Sequence, residues 1–295
     1  MAVGGGLDST VLLHLLAMLR PRLAAPLSAI HVDHALQTES VAWTEHCRRV
    51  CAELDIPLHS RRVDAMPRQG ESPEAAARQA RYAAIAQILG PRAMLLTAQH
   101  RDDQAETLLL QMFRGAGVEG LSAMPLVRSW NRGWLARPLL GVRRASIRAW
   151  AEARGLNWVE DPSNMAGVAD RNYLRHQVIP AIVARWPGAV DSMARSAAHC
   201  ADAADMLRSL AERDLRDVSV ADRLELARLK SIPPARSRNL MRLWLREHQA
   251  PPLSSRRLQD ALQQLCHARS DAAVRIEWGG VEIRRFRDQA WLIRP

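Results

Sequence analysis

The sequence lacks the features that mark membrane, secreted or disulfide-stapled proteins. No apolar run reaches the roughly 18 residues that a membrane span needs, and the first residues lack the basic start and apolar core of a signal peptide. The four cysteines form no CxxC pair, which argues against a zinc site and a disulfide framework. We therefore expect a cytoplasmic protein without a membrane partner, in which Cys47 and Cys51, one helical turn apart, pack as reduced thiols.

Lysine is almost absent, because Lys230 is the single lysine among 41 basic residues and the others are arginines. Against 31 acidic residues this leaves a net charge of +10. The segment from Arg228 to Pro295 holds 14 basic and 6 acidic residues, so most of the excess lies in the last quarter. Arginine forms paired hydrogen bonds with phosphate, although a GC-rich genome also favours arginine. The segregated charge favours a polyanionic partner, most simply nucleic acid, over an evenly solvated surface.

The 295 residues, 48% of them hydrophobic, predict two folded domains. Predicted strands cover residues 1–3, 27–33, 58–63 and 93–98, and predicted helices begin near residues 11, 40, 73, 103 and 143. This alternation over residues 1–186 predicts an α/β domain with a doubly wound, mostly parallel sheet, whose ligands bind beyond the carboxyl ends of the strands. Residues 187–295 predict a second, mainly helical domain with a long helix over 189–215 and a hairpin at Gly279-Gly280.

A glycine turn separates the first predicted strand from the first helix. It consists of Gly4, Gly5 and Gly6, and the sequence continues with Leu7, Asp8 and Ser9. Backbone N–H groups of such a turn, together with a helix N-terminus, can bind phosphate. Glycines also make ordinary tight turns, and the pattern is neither GxxxxGK[ST] nor GxGxxG. An aspartate in this position can hold Mg²⁺, and the serine hydroxyl can bind phosphate or cap the helix.

Acidic residues follow the strand at 93–98. Asp102, Asp103 and Glu106 begin the next helix, and the last two share a helix face because they are three residues apart. They can bind a cation or a substrate amine, or act as a general base. The alternative is that they only complement the helix dipole.

Two further groups leave alternatives open. His31 and the turn over residues 31–36 lie where a nucleotide base would bind, with strand packing and, more weakly, zinc binding as alternatives. Arg171 and Arg175 are four residues apart on a predicted helix. They can clamp phosphate or RNA, or pair with Asp170 and Glu160 across the surface.

The glycine turn resembles the SGGxDS pyrophosphate loop of the N-type ATP pyrophosphatases, or PP-loop superfamily. Further segments are similar, in order and spacing, to the tRNA(Ile)-lysidine synthetase family: HVDHAL at 31–36, AQHRDDQAET at 98–107, RGAGVEGL at 114–121, and EDPSN at 160–164 with DRN at 170–172. The resemblance covers residues 1–185 strongly and the remainder more loosely. It implies an adenine nucleotide alpha hydrolase-like domain followed by a helical domain that contacts tRNA.

The resemblance also implies an activity. The family uses ATP to adenylate the wobble cytidine of the isoleucine tRNA with a CAU anticodon, and L-lysine then replaces AMP; related enzymes suggest a homodimer. The implied catalytic residues are Asp8, Asp103, Glu106 and Arg171, with Asp8 and Asp103 as Mg²⁺ ligands. The implied ATP-binding residues are Gly4, Gly5, Gly6, Leu7, Asp8, Ser9, His31, Arg114 and Gly115. The matching ExxxRxxRY pattern of Glu74, Arg78, Arg81 and Tyr82 would orient lysine or order the site.

The chain departs from the family pattern at two places. It has Gly4 where the loop's first serine stands and Gln99-His100 where the family usually has two histidines. Because backbone N–H groups do most of the phosphate binding, we expect reduced rather than abolished ATP turnover. A catalytically impaired tRNA-binding homologue and another PP-loop tRNA-modifying enzyme are the alternatives. In the second domain, the spacing of Arg236, Arg238, Arg242 and Arg246 predicts a phosphate-facing stripe.

Overall fold

The computed structural model describes residues 1–33, 40–63, 73–160, 170–269 and 272–294. The chain divides into two compact units, Met1–Ala201 and Asp202–Pro295. The boundary expected from the sequence, between residues 186 and 187, lies N-terminal to this division. Among the described helices, none combines the length and the apolar character needed to cross a membrane.

The N-terminal unit alternates strands and helices, as the sequence predicts. Its strands are β1 (Ala29–Asp33), β2 (Leu58–Arg62), β3 (Met94–Leu96), β4 (Val127–Trp130) and β5 (Gly133–Ala136). Its helices are α1 (Leu7–Leu19), α2 (Ser40–Glu53), α3 (Pro73–Ile88), α4 (Arg101–Phe113), α5 (Val118–Leu121), α6 (Arg144–Glu152), α7 (Asp170–Tyr173), α8 (Ile179–Arg185) and the first part of α9 (Ala189–Val218). A π-helical turn, Leu174–Val178, joins α7 to α8.

Residues 1–3 connect two small groups of strands into one sheet. The Val3 N–H donates to Ile30 O at 2.8 Å, and the Ala2 N–H donates to Leu96 O at 2.9 Å. Strand β1 is parallel to β2, and β3 is parallel to β5. The order is therefore β2, β1, residues 1–3, β3, β5, β4, with β4 antiparallel at the edge. Residues 1–3 lie at the topological switch point of the sheet, because β1 and β2 follow on one side and β3 begins the other side. Ligands bind at this point in such sheets.

Helices cover both faces of this sheet, which confirms the predicted doubly wound fold. On one face α1, α2 and α6 bury Leu13, Cys47 and Ile147 against the strands. On the other face Ile85 of α3 packs against Ile30 and its neighbours. Successive strand residues point to opposite faces, so β1 contributes to both cores. Burial raises the pKa of the Cys47 thiol to about 12, as expected for a packed thiol.

The C-terminal unit contains helices and an antiparallel sheet. Its helices are the rest of α9, α10 (Leu226–Ser231), α11 (Pro234–Glu247) and α12 (Ser255–His267). Its strands are β6 (Ser219–Val220), β7 (Arg223–Glu225), β8 (Arg275–Trp278), β9 (Val281–Phe286) and β10 (Gln289–Ile293), in the order β6-β7-β10-β9-β8. The predicted hairpin at Gly279 and Gly280 is confirmed, and both glycines have positive φ. The sequence did not predict β6, β7 and β10, which are short or follow this hairpin closely.

Candidate active site

The glycine turn lies at the end of residues 1–3 and leads directly into α1. Gly5 has φ +78°, and a Cβ there would lie 3.4 Å from Cys47 Sγ. Its carbonyl accepts from the Val159 N–H at 2.9 Å. The conformation therefore requires glycine at this position. Gly4 differs, because a Cβ there would meet open space and its φ is not positive.

The start of α1 is available to an anion. Gly6 is the N-cap residue and offers no side chain, so the first N–H groups of the helix have no side-chain acceptor. The Ser9 hydroxyl donates to Gly6 O at 3.0 Å and accepts from the Gly4 N–H at 3.3 Å. Ser9 thus stabilises the turn in this structure, while the helix N-terminus retains its partial positive charge.

Asp8 faces the buried His100, which precedes α4. Asp8 Oδ2 lies 3.6 Å from His100 Nε2. His100 also caps α4: its Nδ1 accepts from the Asp103 N–H at 3.3 Å, and its own N–H donates to Asp103 Oδ2 at 2.9 Å. Burial would lower the pKa of His100, but the hydrogen bond to Asp8 and the charges of the neighbouring aspartates raise it above its usual value. Of the two histidines that the family pattern usually has at 99–100, this chain keeps His100, which connects the glycine loop to α4.

Asp8 is the carboxylate best suited to a cation. Burial would raise its pKa, but the interaction with His100 and the charges of His100, Arg144 and Arg175 hold that pKa below its usual value. Its Oδ1 is buried and has no hydrogen-bond partner. Mg²⁺ typically takes one or two carboxylates together with substrate phosphates. Asp8 fits this requirement, although the described residues contain no group of three or more metal-ligating side chains.

Asp103 and Glu106 are brought together with Arg171 and Arg175. Arg171 donates to Glu106 Oε2 at 2.7 Å and to Asp103 Oδ1 at 3.2 Å. Arg175 donates to Glu106 Oε1 at 2.6 Å and to Asp103 Oδ1 at 3.0 Å. Glu106 is 1% exposed. The shared helix face predicted for the two acids is present, and both of their carboxylates are engaged by arginine, so Asp103 fits a metal ion less well than Asp8.

In this structure Arg171 and Arg175 pair with the acids of α4. Their role as a clamp for phosphate or RNA stays a prediction. Glu160 instead lies 3.9 Å from Arg148. Burial lowers the pKa of Arg175, but the hydrogen bond to Glu106 and the nearby acids raise it above the usual arginine value. The four side chains form one charge-balanced cluster beside Asp8.

Sequence reasoning missed Arg144 and Arg143, which open α6. The Arg144 N–H donates to Asp102 Oδ2 at 2.8 Å, and its own Nε is buried without a partner. Arg143 lies 3.8 Å from the same Asp102 oxygen. The charge of Arg144 also contributes to the lowered pKa of Asp8. The sequence shows two adjacent arginines at a predicted helix start, but their spacing gave no indication that Arg144 would act on Asp8.

Several predicted ligand-binding residues lie elsewhere. His31 is buried, with its Nδ1 3.0 Å from Val3 O and its Nε2 3.1 Å from Thr44 Oγ1, so its side chain supports the core. Arg114 and Gly115 follow the far end of α4, about 16 Å along the helix axis from Asp103. Their assignment to ATP binding stays a prediction. Residues 34–36 and 161–164, and the side chain of Glu74, lie outside the described residues.

The predicted arginine stripe of α11 needs a correction. Arg236 forms an ion pair with the buried Asp214, so it does not belong to a phosphate-facing row. Arg242 and Arg246 are exposed, and Arg238 is half-buried. Helical spacing alone could not distinguish these positions, because the partner of Arg236 lies on α9.

The fold and the glycine loop define a PP-loop protein, and comparisons with known proteins agree. A family model described as a PP-loop domain matches residues 1–182, and a TilS substrate binding domain model matches residues 224–291. A solved structure, the U34-tRNA thiolase NcsA from Methanococcus maripaludis with its [4Fe-4S] cluster, has a TM-score of 0.57 over 68% of this chain and 70% of that chain. At 16% identity this likeness shows the fold alone.

Curated relatives identify the family more narrowly. The tRNA(Ile)-lysidine synthase of Pseudomonas fluorescens (strain Pf0-1) is 51% identical over 253 residues, 83% of this chain and 57% of the relative. That of Methylococcus capsulatus is 41% identical over 299 residues, covering all of this chain and 68% of the relative. The chain belongs to the tRNA(Ile)-lysidine synthase family and spans between about half and two thirds of the length of these relatives.

Proposed function

We propose that this protein is a carbon–nitrogen ligase that joins L-lysine to the wobble cytidine of an isoleucine tRNA with a CAU anticodon. Family membership supports the reaction class. The single observation that carries the proposal is Asp8, a buried carboxylate with one unpartnered oxygen at the first turn of the helix that follows the glycine loop. A phosphate-binding turn and a cation ligand side by side are what ATP-dependent adenylation requires.

In the first step, the turn at residues 4–6 and the N-terminus of α1 bind the phosphates of ATP. The positive charge of Arg144, which acts on Asp8, would also stabilise the negative charge that develops on departing pyrophosphate. Mg²⁺, when bound at Asp8, would neutralise charge on the phosphates. The cytidine carbonyl oxygen becomes adenylated, and pyrophosphate leaves.

In the second step, the lysine amine attacks the activated carbon and AMP leaves. The amine must lose a proton before it attacks, and a nearby carboxylate can accept it. Asp103 and Glu106 are the acids nearest to Asp8 on α4, but each already accepts hydrogen bonds from Arg171 and Arg175. We infer that the ammonium group of the substrate lysine binds the same carboxylate oxygens as the arginines. The positive charges of Arg171 and Arg175 would then also be available to bind a phosphate.

The C-terminal unit would contact the tRNA. Its segment from Arg228 to Pro295 holds 14 basic and 6 acidic residues, and exposed arginines such as Arg242 lie on α11. Phosphate contacts of this kind give affinity that falls as salt concentration rises. The homodimer and the cytoplasmic location stay predictions.

The test is incorporation of radiolabelled lysine into a CAU-anticodon isoleucine tRNA transcript, with and without ATP. Asp8→Asn is the active-site variant, and Asp214→Asn, which alters a buried acid of the other unit, is the matched control. We expect labelling that needs ATP, that is lost in Asp8→Asn and that persists in the control. Tight tRNA binding with no labelling of the unmodified protein would contradict the proposal and favour the impaired homologue.

A further inference from the structure

Arg137, the residue after β5, is a buried arginine without a carboxylate partner. It is 3% exposed, although arginine is among the residues least often buried unless paired. Its Nη1 donates to Pro125 O at 2.6 Å, while its Nε is buried and has no hydrogen-bond partner. No carboxylate of the described residues forms an ion pair with it. A buried guanidinium with a free N–H is costly, so an anion bound there would satisfy it.

The surroundings of Arg137 add positive rather than negative charge. Burial lowers the pKa of Arg137, the Tyr82 phenol opposes this shift, and the charges of Arg128 and Arg78 add to it. The Arg78 guanidinium lies 5.5 Å from the centre of the Tyr82 ring, and that ring contacts Trp130 of β4 edge-on at 5.6 Å. Arg78 of α3, Arg128 of β4 and Arg137 after β5 therefore lie close enough to interact electrostatically.

Arg137 is linked to α4 through the segment at residues 124–125. The segment it binds through Pro125 is held one residue earlier by Gln104, whose amide donates to Met124 O and accepts from the Met124 N–H, each at 2.8 Å. Gln104 is adjacent to Asp103 in α4. Arg137 also follows β5 at its carboxyl end, the edge of the sheet at which α/β proteins bind ligands.

We propose that Arg137 binds the α-carboxylate of the amino-acid substrate and thereby selects a zwitterionic amino acid over an amine without a carboxylate. The inference rests on the proposed function and assigns the residue that recognises the substrate's carboxylate at that site. Lysine carries one anionic group, its α-carboxylate, and Arg137 offers a buried guanidinium N–H without a partner. A guanidinium and a carboxylate match in geometry and form charge-assisted hydrogen bonds.

A carboxylate fits this position better than a phosphate. The glycine turn and the start of α1 already provide the place for the phosphates of ATP. A phosphate of the RNA backbone is carried by a bulky polymer, whereas the free N–H of Arg137 is buried. A small amino acid can enter where a polymer cannot.

The test compares L-lysine with lysinamide, in which the carboxylate is replaced by a neutral amide. Incorporation of each into the isoleucine tRNA transcript is measured by mass spectrometry of the nucleoside, with the unmodified chain and with Arg137→Gln. We expect the unmodified protein to prefer lysine in kcat/KM by about 10- to 100-fold, the effect of a charge-assisted hydrogen bond pair. In Arg137→Gln the KM for lysine should rise, and the preference should fall to near unity, while the KM values for ATP and tRNA stay unchanged.

Two further variants separate recognition from structure. Arg128→Gln removes an exposed arginine of the same neighbourhood and should keep most of the preference. Arg137→Lys keeps the charge without the planar fork and should show an intermediate preference, which also serves if Arg137→Gln fails to fold. An unchanged preference in folded Arg137 variants would overturn this inference, and so would a rise in the KM for tRNA instead of lysine. No incorporation of either amine by the unmodified protein would contradict the proposed function itself.

Discussion

Both units of this protein bury carboxylates against arginines, but the two regions use them differently. In the C-terminal unit, Asp214 of α9 accepts two hydrogen bonds from Arg236 of α11, and both of its oxygens are engaged. In the N-terminal unit, Asp103 and Glu106 share two arginines, and the neighbouring Asp8 keeps a buried oxygen without a partner. The first arrangement is complete by itself. The second contains polar groups that a ligand can satisfy.

This difference indicates where to look for function among buried charges. Buried polar groups in folded proteins usually have partners, so an unsatisfied one requires an explanation. Among the described aspartates and arginines, unpartnered buried atoms belong to Asp8, Arg144 and Arg137, which all lie in the N-terminal unit and near strand or helix ends. Ring nitrogens of His46 in the same unit and of Trp244 in the C-terminal unit are also buried without a partner. Paired charges such as Asp214 and Arg236 are better explained as contacts that hold helices together.

The largest effect on stability is expected for Glu106→Gln. The substitution removes a buried charge that faces two arginines, which costs about 3 kcal/mol of unfolding free energy after allowance for their partial exposure. Displacement of Arg171 and Arg175 should also lower lysine incorporation about 100-fold. Chemical denaturation and the labelling assay measure the two effects. Asp214→Asn should also destabilise the protein but leave the activity of the folded fraction near normal; equal loss of activity in both variants would remove the contrast between the units.

Asp8→Asn should separate activity from stability. The change is isosteric and Asp8 Oδ1 has no partner to lose, so we expect a stability change of about 1 kcal/mol or less. Labelling activity should fall about 100- to 1000-fold, because the carboxylate would hold the Mg²⁺ that neutralises charge on the phosphates. A Mg²⁺ titration of the residual activity should shift to higher concentration. Full activity of the variant would show that Asp8 does not bind the metal.

Gly5→Ala should destabilise the loop by about 1–2 kcal/mol, because φ is +78° and Cys47 Sγ lies 3.4 Å from the new Cβ. ATP-dependent labelling should decrease with it. Gly4→Ala is the matched control, since its Cβ meets open space and its backbone is unstrained. Thermal unfolding and labelling of both variants check this. Equal effects at the two glycines would contradict the assigned loop conformation.

The contribution of His100 to stability should depend on pH. Its pKa is raised in the folded state, so its stabilisation is complete below the usual histidine pKa and is lost as pH rises through the raised value. The lowered pKa of Asp8 gives the opposite behaviour: its contribution is present above the usual aspartate pKa and is lost as pH falls through the lowered value. Urea denaturation of the protein and of His100→Asn between pH 6 and 9 should show a difference that shrinks at high pH.

The smallest effect is expected for Gly4→Ser, which supplies the hydroxyl that the family's loop usually carries. The open space at Gly4 accommodates the side chain, so stability should stay constant. The added donor to pyrophosphate should raise the rate of labelling severalfold, consistent with the value of one hydrogen bond to a charged group. An unchanged rate would mean that this chain's loop binds phosphate with backbone groups alone.

The sequence correctly predicted several helices and which residues of one helix lie on the same face. An apolar run, helical spacing and a proline at a helix start predicted α1, α2 and α3, and the shared face of Asp103 and Glu106 in α4 follows from helix geometry. The β4–β5 hairpin was not predicted, although Asn131 adopts positive φ in its turn and Gly133 follows. Short apolar runs such as these strands carry too weak a periodicity to distinguish them from loops.

Tertiary structure alone decided which charges meet. Arg171 and Arg175 lie 65 or more residues from Glu106 along the chain, and Arg236 lies 22 residues from Asp214. Spacing fixes neighbours within a few residues, because helix and strand geometry repeat over that range. The partners of these arginines, the unsatisfied oxygen of Asp8 and the burial of Arg137 depend on how separate elements pack. The sequence thus determined the class of protein and the loop, while the fold determined which polar atoms remain available to a ligand.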